Sequence, residues 1–196
     1  MCTRYYVDET VLDQIQQTLN GIDNRLTSPK YAGDMLPTNY APVIECVDGR
    51  LCLTEKKWGY PGIKPGSVVL NARAESVHEK RIFQDGIQHH RIVIPARHFY
   101  EWNKNKEKFT FHRQDFDLLF FAGFSDMIEN EPRFVILTTQ ANDSMVKVHD
   151  RMPLILEKEQ IDDWLKKDDS VMPILHQTLA LLNRWAEYEQ QTLDLF

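Results

Sequence analysis

Little in this 196-residue chain would staple it from outside its own core. It has three cysteines, Cys2, Cys46 and Cys52, an odd and sparse count that makes no disulfide framework. No CxxC and no Cys/His pair has structural zinc spacing, so no metal and no cofactor is expected. Eight glycines and nine prolines exclude a collagenous or low-complexity chain. No apolar run approaches the ~20 residues that a membrane helix needs; the longest, near Leu118, is far shorter. The opening Met1-Cys2-Thr3-Arg4-Tyr5-Tyr6 has no basic stretch followed by an apolar one, so it does not read as a secretory signal. Internal repeats and Ser/Gly-rich linkers are missing too. These absences predict one domain over residues 1–196, in a reducing cytoplasmic compartment and away from membranes.

Positive charge is also in deficit. Lys and Arg number 23 against 29 Asp and Glu, a net charge of −6. Taken alone this argues against a nucleic-acid binder, because phosphate backbones attract cations. The distribution softens the objection. Arg91 to Arg113 carries six basic residues against two acids, whereas 114–132 carries five acids and no base. A local cationic face remains open.

The hydrophobic share of 42% is enough for a real core. Asp8 is placed to cap a helix through Val11, Leu12, Ile15, Leu19 and Ile22, which recur at helical spacing. Residues 25–42 read as loop, with Pro29, Gly33, Pro37 and Pro42. Asp48-Gly49 between Val43–Val47 and Leu51–Thr54 is a hairpin signal. Ser67–Leu70, Arg91–Ile94, Phe99–Trp102, Phe109–His112, Leu118–Ala122 and Phe134–Thr138 read as strands. Residues 158–167 predict a short helix, and Ile174–Ala186 another. The pattern is α+β, built on antiparallel sheet.

Cys2 is the most unusual feature. It is small enough for Met1 to be removed, which would leave an N-terminal 1,2-aminothiol. Its amine has a reference pKa of about 7.7–8 and its thiol about 8.5, so both are partly nucleophilic near neutrality. Such a pair condenses with an aldehyde: the amine forms a Schiff base and the thiol closes a thiazolidine. The same thiol can attack an amide. The bland alternative is a frayed terminus. Asn71-Ala72-Arg73-Ala74-Glu75 offers an amide to orient an amine and an Arg to clamp phosphate; spacing alone favours a helix start with a capping Asn and an exposed ion pair. Glu101, in Phe99-Tyr100-Glu101-Trp102, is either a desolvated acid/base or a strand Glu facing solvent. Trp102 stacks on a base or fills the core. His149 is a proton shuttle or a structural hydrogen-bonder. Cys46 and Cys52 read as buried apolar residues.

In joint order, these segments resemble the SOS-response-associated peptidase (SRAP) family over residues 2 to about 156. The residues that carry the likeness are Cys2 with Arg4-Tyr5, Asn39 with Ala41-Pro42, Trp58-Gly59, Asn71-Ala72-Arg73-Ala74-Glu75, Pro95-Ala96, Phe99-Tyr100-Glu101-Trp102, Ala122-Gly123, Leu137-Thr138-Thr139 and His149-Asp150-Arg151-Met152-Pro153. Four positions depart from the usual pattern. Thr3 replaces Gly, Arg97-His98 replaces Asp-Gly, Pro37 stands where Arg is frequent, and the stretch after Gly59 is short and lacks a second Trp.

The resemblance implies an α+β fold with a β-rich pseudo-barrel core of mostly antiparallel strands and flanking helices. It implies recognition of abasic sites in single-stranded DNA by a monomer, with a thiazolidine crosslink formed at Cys2. On that pattern Asn71 orients the amine and sugar, Glu101 shuttles protons and His149 assists Schiff-base formation and reversal. Arg4 and Arg73 hold phosphates, Asn39, Pro42 and Trp102 belong to the DNA path, and Thr138 lines the site. The peptidase name implies autoproteolytic removal of Met1 or a short leader. Two other readings stay open: an N-terminal nucleophile peptidase acting on peptides in trans, and a binding module for modified DNA without chemistry.

Overall fold

The computed structural model describes residues 2–19, 21–27, 31–115 and 117–186. Met1 and Pro29 lie outside them. The N-terminal part runs β1 (Tyr5–Val7), α1 (Glu9–Thr18), β2 (Asp23–Asn24), β3 (Gly33–Met35), β4 (Tyr40–Val47), β5 (Arg50–Trp58), β6 (Tyr60–Pro61), β7 (Val68–Val69) and β8 (Asn71–Arg73). A 3-10 turn over Ala74–Glu79 leads to α2 (Arg81–His89), β9 (Arg91–Ala96), β10 (His98–Trp102), β11 (Lys108–His112), β12 (Leu119–Ile128) and β13 (Glu131–Gln140). The chain ends in β14 (Arg151–Pro153), β15 (Ile155–Leu156), α3 (Ile161–Lys166), α4 (Val171–Leu175) and β16 (Asn183–Ala186).

Five strands close on themselves in the order β13-β12-β9-β4-β5, with β5 returning to β13. Every pair around this ring is antiparallel except β5–β13. Closure leaves the ring without open edges. β9 is buried at all six positions, because α1, α2 and α3 cover the face turned from the barrel interior. A strand covered on both sides has no reason to alternate, and Arg91-Ile92-Val93-Ile94 does not. A second antiparallel sheet, β16-β11-β10-β1-β3, packs beside the barrel. Tyr5 and Phe99 from that sheet meet Trp58 and Phe121 from the barrel at ring distances of 5.2–5.9 Å. All four are fully buried, each contributing about 1.5–3 kcal/mol of transfer free energy. The α+β class and the mostly antiparallel pseudo-barrel are therefore as the sequence implied.

Local chemistry fixes the turns. Asp48 (φ 50°) and Gly49 (φ 77°) are both left-handed, the geometry of a type I′ hairpin turn, and Val47 pairs with Arg50. Asp8 caps α1 by accepting from Thr10 N at 2.9 Å. Gly59 sits at φ 107°, and a Cβ there would lie 2.2 Å from Val68 Cγ1. Trp58 beside it is wholly buried and donates from Nε1 to Leu70 O at 3.1 Å. The Trp58-Gly59 signature thus belongs to the core.

Several sequence expectations are corrected. Ile174–Ala186 is not one helix: α4 stops at Leu175 and the chain returns as β16 on β11. The free edge of β11 offers ladder partners that outcompete helix propensity. Asn142 Nδ2 donates to Ala180 O at 2.9 Å, and Ser144 Oγ accepts from Leu182 N at 3.1 Å, which holds the intervening stretch extended. Helix α2 was not foreseen, although Phe83, Gly86 and Ile87 form a buried i, i+3, i+4 face. The supposed loop 25–42 contains β3 and the start of β4. Asn71 lies in a strand and caps no helix. Cys52 is buried as expected, but Cys46 is only half-buried.

Arg97-His98 adds contacts where the family pattern has Asp-Gly. Arg97 reaches Asp8 Oδ2, Thr10 Oγ1 and Gln14 Oε1, each at 2.7 Å, and ties β9 to α1. His98 stacks on Tyr6 at 4.7 Å and shares a 2.8 Å hydrogen bond with the Tyr100 hydroxyl. Burial lowers the His98 pKa from 6.5 to about 4. The folded pKa lies below the unfolded one, so the stability it carries is complete above pH 6.5 and is lost as pH falls toward about 4. Thermal unfolding in His98→Phe should show a shallower decline across that window than the wild type; equal slopes would remove His98 as the cause.

Candidate active site

The segment around Cys2 is held on two sides, which removes the bland alternative of a frayed terminus. β1 lies between β10 and β3, with Tyr5 opposite both Phe99 and Met35. The ladder continues past the strand, since Tyr100 N donates to Arg4 O at 3.1 Å. That draws Cys2 inward to 0% exposure, with its thiol 3.8 Å from Arg4 O. Asn71 Nδ2 donates to Cys2 O at 3.0 Å.

Asn71 can do this because β8 lies parallel to β13, pairing Asn71, Ala72 and Arg73 with Ile136, Leu137 and Thr138. Strand alternation buries Ala72 and leaves Asn71 and Arg73 together on the other face. Asn71 Oδ1 is buried and takes no hydrogen bond from the described residues.

The same alternation places Glu101. In β10 it shares a face with Phe99, which is packed against Phe111 and Phe121. Glu101 is consequently 3% exposed, not the solvent-facing strand residue that pattern alone favoured. Its charge reaches Cys2: burial first, and the Glu101 carboxylate second, push the thiol far above its usual range. A resting thiol in this site is protonated and poorly nucleophilic.

Trp102 and His149 line one cleft of about 750 Å³ with Lys104, Lys147 and Asp150. His149 Nδ1 accepts the Arg151 N–H at 3.0 Å. Asp150 Oδ1 lies 2.9 Å from the same ring nitrogen.

Below the site lies a brace that sequence reading missed. Arg151, 7% exposed, grips Glu75 through two bonds of 2.7 and 2.9 Å and donates to Thr138 O at 2.7 Å. Thr138 is fully buried, and its hydroxyl donates to Ala72 O at 3.3 Å. Arg151 bonding first, despite opposing burial, holds the Glu75 carboxyl below its usual range. Glu75 and Arg151 stand in two of the quoted segments, but nothing in either segment says that they pair. β8, β13 and β14 are clamped in register by this contact, which carries Asn71 with them.

Arg73 is exposed at the end of β8. Arg4 is engaged by Asp34 and lies 5.3 Å from the Tyr100 ring centroid. Asn39 Oδ1 accepts from Leu36 N at 2.9 Å and stabilises the turn between β3 and β4. Pro42 is buried in β4 opposite Glu55. Among the described residues no group of three or more His, Cys, Asp or Glu is placed to hold a metal ion, and no helix is long and apolar enough to cross a membrane.

Comparison with known proteins agrees with this architecture. The chain is 28% identical over 181 residues to the abasic site processing protein YedK of Escherichia coli, covering 87% of this chain and 82% of that protein. It is 37% identical over 111 residues to the abasic site processing protein YoqW of Bacillus subtilis, where the match spans half of each. A solved protein from Bordetella bronchiseptica superposes with a TM-score of 0.78 at 22% identity, covering 94% of this chain and 99% of that one. One from Bacteroides thetaiotaomicron superposes at 0.77 and 19%, covering 94% and 91%. At these identities the two structures speak for the fold alone. The profile of the SOS response associated peptidase family matches residues 1–192. A barrel that packs the Trp58-Gly59 corner and buries Cys2 against Asn71 is how the family's scattered signatures come together here, and this chain belongs to the SOS response associated peptidase (SRAP) family.

Proposed function

We propose that this protein captures abasic sites in single-stranded DNA by forming a thiazolidine between Cys2 and the ring-opened sugar aldehyde. The observation that carries the reading is the fixed, buried Cys2, with Asn71 on its carbonyl and the Glu101 charge acting on its thiol. The relatives named as abasic site processing proteins support the same substrate. Removal of Met1 frees the Cys2 α-amine. The amine adds to the aldehyde carbon to give a carbinolamine. The Glu101 carboxylate takes the proton that the Cys2 ammonium gives up as the amine is freed, and returns it to the departing hydroxyl, so water leaves and a protonated imine forms. The thiol then adds to the imine carbon, the C=N pair settles on the ring nitrogen, which already carries its hydrogen, and the thiol proton goes to the Glu101 carboxylate. One water is released overall. The cationic imine offsets the Glu101 charge beside the thiol, which favours addition of the sulfur to the imine carbon.

Asn71 Oδ1, buried without a donor among the described residues, accepts an N–H of the liberated amine and orients its lone pair. His149 moves protons at the mouth of the Trp102 cleft during formation and reversal. Trp102 stacks on a neighbouring base, Arg4 and Arg73 contact phosphates, and Asn39 and Pro42 shape the barrel corner along the strand's path. Thr138 lines the site through its hold on Ala72. Met1 leaves by the same centre: an N-to-S acyl shift moves its acyl group to the Cys2 sulfur, and water releases it. All of this is assigned to a single domain over residues 1–196.

Intact mass after incubation with an abasic single-stranded oligonucleotide tests the reading. The expected species is protein without Met1 plus one oligonucleotide minus one water. No adduct from Met1-free protein, or an adduct on protein that retains Met1, overturns it.

A further inference from the structure

The outer face of the second sheet carries a cluster around Arg4 whose other members the proposed function leaves without a role. Arg4, which precedes β1 and is bonded through its carbonyl to Tyr100 N, meets Tyr100 from β10, Lys108 from β11 and Asp34 from β3 there. The Arg4 guanidinium lies 5.3 Å from the Tyr100 centroid and Lys108 Nζ lies 4.2 Å from it, so two cations approach one ring. Arg4 Nη2 is bonded to Asp34 Oδ2.

The pair is poorly matched. Among the described residues Arg4 Nε is buried and donates to no acceptor, and Asp34 Oδ1 is buried without a donor, although, against the opposing effect of burial, the Arg4 bond and the Tyr100 hydroxyl hold the Asp34 carboxyl below its usual range. A guanidinium meeting a well-fitted oxyanion uses two parallel N–H donors; here a single bond forms and both spare groups are left over. Arg4 and Asp34 side chains are 35% and 27% exposed, so an incoming anion meets part of the pair and reaches the buried Nε only by displacing Asp34. The same segment holds the nucleophile, since the Cys2 thiol rests 3.8 Å from the Arg4 backbone carbonyl.

We infer that Arg4 and Lys108, astride the Tyr100 ring, form a subsite for one backbone phosphate beside the captured nucleotide, and that Asp34 fills it in the free protein as an intramolecular competitor. The inference rests on the DNA-capture reading and adds Lys108, Tyr100 and Asp34 to it. A tetrahedral phosphate offers Arg4 two oxygens, taking up Nη2 and the unused Nε together, and a third to Lys108. Asp34 subtracts from the binding of any strand, so undamaged DNA is held weakly. An abasic strand, locked covalently at Cys2, can tolerate the competition.

The test compares wild type with Asp34→Asn, which keeps size and an acceptor and loses the charge. Affinity for an undamaged single-stranded oligonucleotide, read by fluorescence anisotropy, should rise about two- to fivefold, the range of a partly exposed ion pair. The slope of log K against log salt should steepen by about 0.7, one added phosphate contact on a single strand. Adding Lys108→Gln should remove part of the gain, and adding Arg4→Gln should remove the rest. Unfolding temperature is read alongside. In wild type, arginine-selective NMR should show the Arg4 Nε proton shift on adding the oligonucleotide, which needs no variant to fold. Unchanged affinity and slope in a folded Asp34→Asn, or an unmoved Nε signal, overturns the subsite while crosslinking by the wild type stands. Absence of both binding and crosslinking in every protein overturns the capture reading and the subsite with it.

Discussion

Cys2→Ala protein should form no adduct that survives heating with abasic DNA, yet borohydride should still trap it. Alanine keeps the α-amine, so the imine forms; without sulfur the ring cannot close, and the imine hydrolyses. The substitution removes one buried sulfur atom and leaves the backbone bond from Asn71 to the residue 2 carbonyl in place, so the fold should survive. Cys2→Ser would close an oxazolidine that opens more readily, giving a labile product. An uncleavable N-terminal tag should abolish capture even with the thiol intact, because an amide nitrogen cannot form an imine. Mass mapping of the trapped peptide is the check. A stable adduct from Cys2→Ala, or one at Cys46, Cys52 or a lysine, would place the chemistry elsewhere.

Glu101→Gln should slow crosslinking by about 10²–10⁴-fold, the usual contribution of a positioned acid–base group. The site is 3% exposed, and glutamine matches the carboxylate in volume, so far-UV spectra and unfolding should change little. The variant also separates two roles. The Glu101 charge pushes the Cys2 thiol up, so its removal lowers that pKa and raises the thiolate fraction. If thiolate supply limited the reaction, Glu101→Gln would be faster than wild type. A slower reaction from a more acidic thiol identifies proton transfer as the lost step. Single-turnover rates across pH, with thiol pKa read by alkylation, measure both; an unchanged rate returns Glu101 to a packing role.

The sequence by itself determined the local elements. Asp48-Gly49 wrote its hairpin because two adjacent left-handed residues match strand twist, and Asp8 wrote its cap. The ordered signatures from Cys2 to Pro153 gave the family and so the barrel. What stayed hidden depended on partners distant in the chain. The 174–186 segment has helical composition, and only the open edge of β11, more than 70 residues earlier, makes its end a strand. Glu101 alternates like any strand residue, and the polarity of its neighbours does not tell which face is buried; the packing of Phe99 on Phe111 and Phe121 decides it. Asn71 looks like a helix cap until β13 pairs with β8 and carries it to Cys2. Arg4, which the family likeness suggests for a phosphate, meets Asp34 from a segment read as loop. A residue's type and its nearest neighbours fix backbone preference, so turns and caps are written in the chain; burial, charge pairing and the company a side chain keeps arise from contacts across tens of residues, and only the folded barrel supplies those.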